Sequence, residues 1–367
     1  MRIENLIYLF LAVLVSMILF NIVCIFVFSF QDRRLNKNNN RFAELIRKQM
    51  ETGIDDKHKK YMYRKLKNID NLQAFDLALE GLMKEDDEMA KRYLESLTPV
   101  FVDLTSVYIR KQELQAAYFP YIIKKYSLFY MTNNNAVIST LHELVRHSSL
   151  YSRENALEAL YSIGNAEAVV NALKIINDKD YYHNKRLLCD GLLTFAGDEE
   201  ELSEKLWSHY HVFSENMQLV ILEYFRFSEE GYKYAEQMFE VMVQSKRNSE
   251  LYYSCIRYFG KYPDLRAYRQ IIKSVSDEDK SGFECKAIAA SALSIYDYPQ
   301  TKEVLINLLH DRNWYVRNNA AASLSKLGVD YFDLIDIFDG DDRYAREIAA
   351  YSLKRNTVKE NEHVHKG

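Results

Sequence analysis

The chain has 367 residues with only 4 prolines and 11 glycines, too few turn residues for a large β-sheet protein, so the composition predicts a mostly helical molecule. Its net charge of −4 hides an asymmetry: residues 31–67 hold 12 Lys/Arg against 5 Asp/Glu (+7), residues 1–30 are neutral, and the remainder sums to −11, a poor composition for binding nucleic acid. Cys24, Cys189, Cys255 and Cys285 lack C-x-x-C spacing and read as small buried fillers in a reducing compartment.

From Leu6 to Phe30 runs LIYLFLAVLVSMILFNIVCIFVFSF, without a charge. At about 1.5 Å per residue this exceeds a hydrocarbon thickness of about 30 Å, so residues 1–30 predict a membrane anchor. A cleaved signal peptide needs a shorter apolar core and a small-residue cleavage site. Arg33, Arg34, Lys37 and Arg41 flank the far side of the span, which predicts an outside N-terminus and a cytoplasmic body. Asn21 inside the span is either a hydrogen-bonding contact to another helix or a single tolerated polar residue.

Residues 31–69 read as a basic juxtamembrane segment, an Asn-rich linker plus two short amphipathic pieces, one of which carries Phe42, Leu45, Ile46 and Met50. Cations here can lie along an anionic leaflet, each worth about 1 kcal/mol. For Lys57 to Lys67 a solvated helix face is an equal reading. Residues 70–150 are helical in period and are expected to form degenerate hairpins, two of them separated by Asn133-Asn134-Asn135.

Further on, one frame recurs: a cation followed at +3, +7 and +11 by a small residue, a large apolar one and glycine. Arg317, Ala320, Leu324 and Gly328 fit it, as do Arg153, Ala156, Leu160, Gly164 and Arg186, Cys189, Leu193, Gly197. Lys286, Ala289, Leu293 and Arg346, Ala349, Leu353 fit without the glycine, and weaker copies surround Leu222 and Ile256. The interval, roughly 29–37 residues, is that of two short helices with their turns, which predicts stacked hairpins. The small residue admits a neighbouring helix, and glycine at +11 suits a left-handed stop. The terminal NTVKENEHVHKG, residues 356–367, reads as a disordered polar tail.

At DRNWYVRNNAAASLSKLG and DDRYAREIAAYSL the sequence resembles the short bacterial HEAT repeats, whose signature is an Asp, then Val-Arg, alanines and Leu-Gly. The resemblance covers roughly residues 151–355. It implies an all-α, right-handed α-α superhelix (a HEAT-like solenoid), which here follows the one transmembrane helix read from residues 6–30. It further implies that Arg153, Arg186, Lys286, Asp311, Arg317 and Arg346 are structural members of a ladder between repeats, Arg317 bonding to carbonyls or an Asp of a neighbouring hairpin. Second helices are expected to line the concave side, which makes Trp207, Tyr232, Tyr234 and Tyr268 candidates for a partner surface. The competing reading is that the 28 tyrosines simply replace leucine in a helical core.

Catalytic chemistry is not evident. His142 and His147 in HELVRH are five apart, about 140° around a helix, where H-E-x-x-H needs four. His209 with His211 and His363 with His365 lack acidic or thiolate partners in sequence, and no Gly-rich phosphate loop or G-x-S-x-G elbow occurs. No catalytic, cofactor or metal residues are therefore expected, and neither nucleic acid nor a small-molecule substrate is indicated. The expected function is a non-enzymatic, membrane-anchored cytoplasmic scaffold at the bacterial cell membrane that binds a protein partner. By analogy to tethered repeat proteins, that partner is a membrane glycosyltransferase or another envelope or polysaccharide-synthesis component. The alternative is a HEAT-like enzyme such as an alkylated-DNA glycosylase or a bilin lyase.

Overall fold

The structure is a computed structural model that describes residues 3–126, 135–147, 149–179, 181–276 and 281–364, with side chains described for all of these except 3–9, 28 and 355–364. Among the described residues there are 19 α-helices, four short 3₁₀ segments and no strand. The chain divides into two units, Met1–Ile176 and Asn177–Gly367.

The first unit holds α1 (Ile3–Thr52), α2 (Asp56–Leu66), α3 (Ile69–Glu85), α4 (Asp87–Tyr108), α5 (Glu113–Lys125), α6 (Asn135–Val145) and α7 (Leu150–Ile163), with α8 (Ala166–Asp178) at its end. Residues 31–52, expected as a linker and a separate piece, instead continue the apolar helix without a break. Half-buried Leu35 and Asn39, then buried Phe42, Ile46 and Gln49, recur at helical spacing and pack on α3. That packing outweighs the low helix propensity of the asparagines. Gly53, at φ 80°, ends α1 in a conformation that suits glycine.

Helices α1, α3, α5 and α7 lie parallel. Arg34 pairs with Asp70 and Arg47 with Glu85, so register advances in the same direction along α1 and α3. Tyr118 with Asp76 and Lys125 with Glu80 do the same for α3 and α5. Asn155 with Ala117 and Lys124 with Glu158 do so for α5 and α7. Helix α4 returns antiparallel: Tyr93 bonds to Gln49 at one end, and the Tyr108 hydroxyl donates to the Leu66 carbonyl at the other, 2.6 Å away.

A buried carboxylate stitches this unit. Asp76 is 4% exposed and accepts from Tyr118 (2.7 Å), Lys125 (2.7 Å) and Tyr126. Burial, then the adjacent Asp76 carboxylate, pushes the Tyr118 and Tyr126 hydroxyls above their ordinary range. Burial opposes the charge on Lys125, but its hydrogen bonds to Asp76 and Glu80 outweigh that and hold the ammonium protonated.

The second unit alternates α9 (Lys185–Leu192), α10 (Glu199–Ser208), α11 (Glu215–Phe227), α12 (Ala235–Gln244), α13 (Glu250–Phe259), α14 (Leu265–Ser276), α15 (Phe283–Ala292), α16 (Pro299–Leu308), α17 (Trp314–Lys326), α18 (Ile335–Asp339) and α19 (Arg343–Val364). The first helices, α9 to α19 in odd steps, pack side by side. The small frame positions Ala156, Cys189, Ala289, Ala320 and Ala349 are buried, as are Leu160, Leu293 and Leu324. The glycine rule holds at Gly164 (φ 74°) and Gly328 (φ 71°). It does not hold at Gly197, because α9 has already ended at Leu192, nor at Gly260, which caps α13 at φ −75°. At Gly260 close packing makes the demand: a Cβ there would meet Ala292 at 3.0 Å.

Tyrosine does more here than replace leucine. The hydroxyls of Tyr258 and Tyr296 reach back to the carbonyls of Gly231 (2.7 Å) and Phe259 (2.8 Å), satisfying backbone groups in adjoining hairpins. The stretch expected as a disordered tail continues α19 as far as Val364, while Asn133, Asn134 and His365 lie outside the described residues.

Candidate partner groove

The ladder residues divide by what they touch. Arg153, Arg317 and Arg346 each donate from a guanidinium nitrogen to the carbonyl six residues earlier, that of His147 (3.0 Å), Asp311 (2.8 Å) and Gly340 respectively. They therefore clamp the loop leading into their own helix, and Arg317 bonds to carbonyls as expected, those of Asp311 and Arg312. Arg317 also stacks over Tyr344 of the next hairpin at 5.2 Å. Lys286 does run between hairpins, pairing with Asp311 at 3.3 Å. Arg186 departs from the pattern: its side chain is 86% exposed, 3.6 Å from Asp190, and lines a groove.

The ladder also has members that the frame did not include. Asn155 and Asn319, each two residues after the arginine, donate to the carbonyls of Ala117 (2.9 Å) and Ala287 (2.8 Å) in the preceding first helix. Ser323 does the same to Ala290 at 2.7 Å. The repeated Arg-x-Asn-Ala of RENA and RNNA was the available signal.

Two of the four aromatic candidates are core. Tyr234 (8% exposed) stacks on Phe225 at 4.1 Å, and Tyr268 (5% exposed) accepts a hydrogen bond from Thr301. Their burial removes them from any partner surface. Trp207 is half-buried against Tyr210, and Tyr232 is exposed.

A concavity in the second unit lies on the first helices, whereas the expected partner surface is on second helices. About 810 Å³ in volume, it runs across α9, α11 and α13, floored by Leu219, Val220 and Cys189. Each helix brings a cation and carboxylate pair to it, Arg186 with Asp190, Arg226 with Glu223 (2.9 Å) and Arg257 with Glu250 (3.8 Å), and α9 adds a second cation, Lys185. A second concavity of about 380 Å³ shares Arg226 and Arg257 and continues over α15 and α17, where Lys326, Ser291 and Asn319 line it without a carboxylate. Burial pushes the Cys189 thiol up to about 12, so it is protonated and unreactive at neutral pH. Paired charges over an apolar floor suit recognition of a polar, partly apolar chain.

The remaining histidine pairs do not converge. His142 bonds to the Ala168 carbonyl at 2.8 Å, and burial lowers its basicity. His147 sits near Ser152, His209 bonds to the Lys205 carbonyl, and His211 is exposed beside Trp207. The His363 side chain lies outside those described. Among the described residues no cluster of three or more His, Cys, Asp or Glu is placed to hold a metal.

A profile described as HEAT repeats matches residues 269–354, the stretch that contains Lys286, Arg317 and Arg346. Together with the helical fold, this makes residues 269–354 HEAT-like. No curated protein matches the chain. Among solved structures, human deoxyhypusine hydroxylase in complex with glycerol is similar, at 15% identity and a TM-score of 0.27 over 81% of this chain and 95% of that one. A likeness that distant carries no argument about activity.

Proposed function

We propose that the protein is a non-enzymatic scaffold, anchored by α1 in a bacterial cell membrane with its helical repeats on the cytoplasmic side, that holds a protein partner near the bilayer. The observation that carries this reading is the two-sided character of α1. Its first half is apolar all round and unburied, with Phe10 67%, Phe20 68% and Phe26 72% exposed, while its second half packs into the first unit. A helix apolar on every side needs an apolar surround, and a bilayer supplies one. The basic flank at Arg33, Arg34, Lys37 and Arg41 supports the cytoplasmic orientation. The groove over α9, α11 and α13 supports partner binding by offering three charge pairs along about 810 Å³. A membrane glycosyltransferase or another envelope-synthesis component is the partner class that analogy suggests.

Alkaline carbonate extraction of membranes from cells making the full chain tests the anchor. We expect the chain to remain in the pellet and a chain with residues 10–30 deleted to leave it. Release of the full chain would overturn the reading.

A further inference from the structure

We propose that one edge of the first unit, built from the loops before α3 and α5, is a second membrane contact that docks on anionic lipid headgroups. The inference rests on the reading that α1 spans a bilayer and goes beyond it by fixing which loops face the lipid.

The argument is one of register. Because α1 is uninterrupted, Arg34 stands four residues, about 6 Å, beyond Phe30, where the apolar run ends. The Arg34–Asp70 pair sets the start of α3 at that level. The pairing of Tyr118 with Asp76 and of Lys125 with Glu80 sets the start of α5 within about a turn of it. The Tyr108–Leu66 hydrogen bond brings the ends of α2 and α4 to the same edge. Arg33, Arg34, Lys65, Lys67, Arg110 and Lys111 therefore gather at one end of the stack, roughly a Debye length of about 8 Å from the headgroups. Asp32, Asp70 and Glu113 are the carboxylates there, and Asp70 is already paired with Arg34.

At the opposite edge the balance is reversed, with Glu51, Asp55, Asp56, Glu85, Asp86, Asp87 and Glu88 outnumbering Arg47, Lys48, Lys57 and Lys84. Helix dipoles favour cations at the ends of α2 and α4 whatever lies beyond them. They do not account for Leu114, 75% exposed in the first turn of α5, or Tyr151, 70% exposed at the start of α7, on the same side. Cations beside an exposed leucine and tyrosine match a headgroup layer, where charge meets phosphate and an amphipathic ring or alkyl group sits just below it.

The test is hydrogen exchange on the full chain in nanodiscs of phosphatidylcholine alone and with about one third phosphatidylglycerol. We expect residues 109–116 and 65–68 to exchange about fivefold more slowly in the anionic discs, with residues 53–58 at the opposite edge unchanged. Arg110→Gln with Lys111→Gln should erase most of the difference at 109–116 while the chain stays in the disc and 53–58 exchange as before. Equal exchange in both discs with residues 10–30 protected would overturn the edge contact and leave the anchor standing. Residues 10–30 unprotected would overturn both. Loss of the difference on adding inorganic phosphate at matched ionic strength would assign the cations to free phosphate and overturn the lipid docking.

Discussion

The guanidinium of Arg317 donates to the carbonyl of Asp311 at 2.8 Å while it lies over the Tyr344 ring, so a single cation fixes the loop before α17 and the face of the next hairpin. Arg153 and Arg346 repeat the six-residue bond, and a periodic arginine whose nitrogens are directed at backbone carbonyls is framework. Arg317→Ala should cost about 1.5–3 kcal/mol of stability in chemical unfolding, the range for hydrogen bonds from charged groups. Membrane retention of the variant should be unchanged. A variant as stable as the parent would remove Arg317 from the framework.

Gly231 and Gly81 should respond in opposite directions to alanine. A Cβ at buried Gly231 would lie 1.8 Å from the Phe225 carbonyl, so Gly231→Ala must displace backbone that also serves Tyr258, and we expect a loss of about 1–3 kcal/mol or more. Gly81 is exposed inside α3 with nothing within 4 Å of the added carbon, so Gly81→Ala should add about 0.5–1 kcal/mol. Thermal melts of the two variants side by side check the pair.

Asp76→Ala leaves Tyr118, Tyr126 and Lys125 without their shared acceptor in a site that is nearly closed to water. We expect about 3–5 kcal/mol of destabilisation, confined to the first unit in hydrogen exchange. Asp76→Asn, which keeps shape and one acceptor, should lose less.

His142 gives the first unit a pH dependence. Burial holds its folded-state pKa below the ordinary 6.5, so its contribution is complete above that value and declines as pH falls through the folded pKa. The melting temperature of the full chain should therefore drop between pH 7.5 and 5.5, and the drop should be smaller in His142→Gln.

Much of residues 151–355 was legible from sequence because the recurring frame is written in residue types with one physical use each. Buried alanines at +3 mark helix contact, and Gly164 and Gly328 mark left-handed stops. Other features were hidden because they are properties of contacts. Nothing local shows that Asn155 reaches Ala117, or that Tyr234 and Tyr268 face inward, since a helical tyrosine reads alike on either side. The asparagines at 36 and 38–40 favoured a linker by propensity, and only the stripe from Leu35 to Gln49, matched to α3, reveals one helix. The groove over α9, α11 and α13 was hidden for a related reason: which helix of a hairpin lines a concavity depends on how successive hairpins pack. Arg186 fits the frame by spacing, but it is the second residue of its helix where Arg153, Arg317 and Arg346 are the fourth of theirs.

The scaffold claim is tested most directly by in-cell photo-crosslinking from Arg226 and Arg257 positions, with Lys59 in α2 as control, followed by mass spectrometry. We predict that both groove positions yield the same membrane protein, that the control does not, and that deleting residues 10–30 abolishes the adduct. Groove positions that capture nothing in the full-length anchored chain, or that capture nucleic acid, would contradict the account.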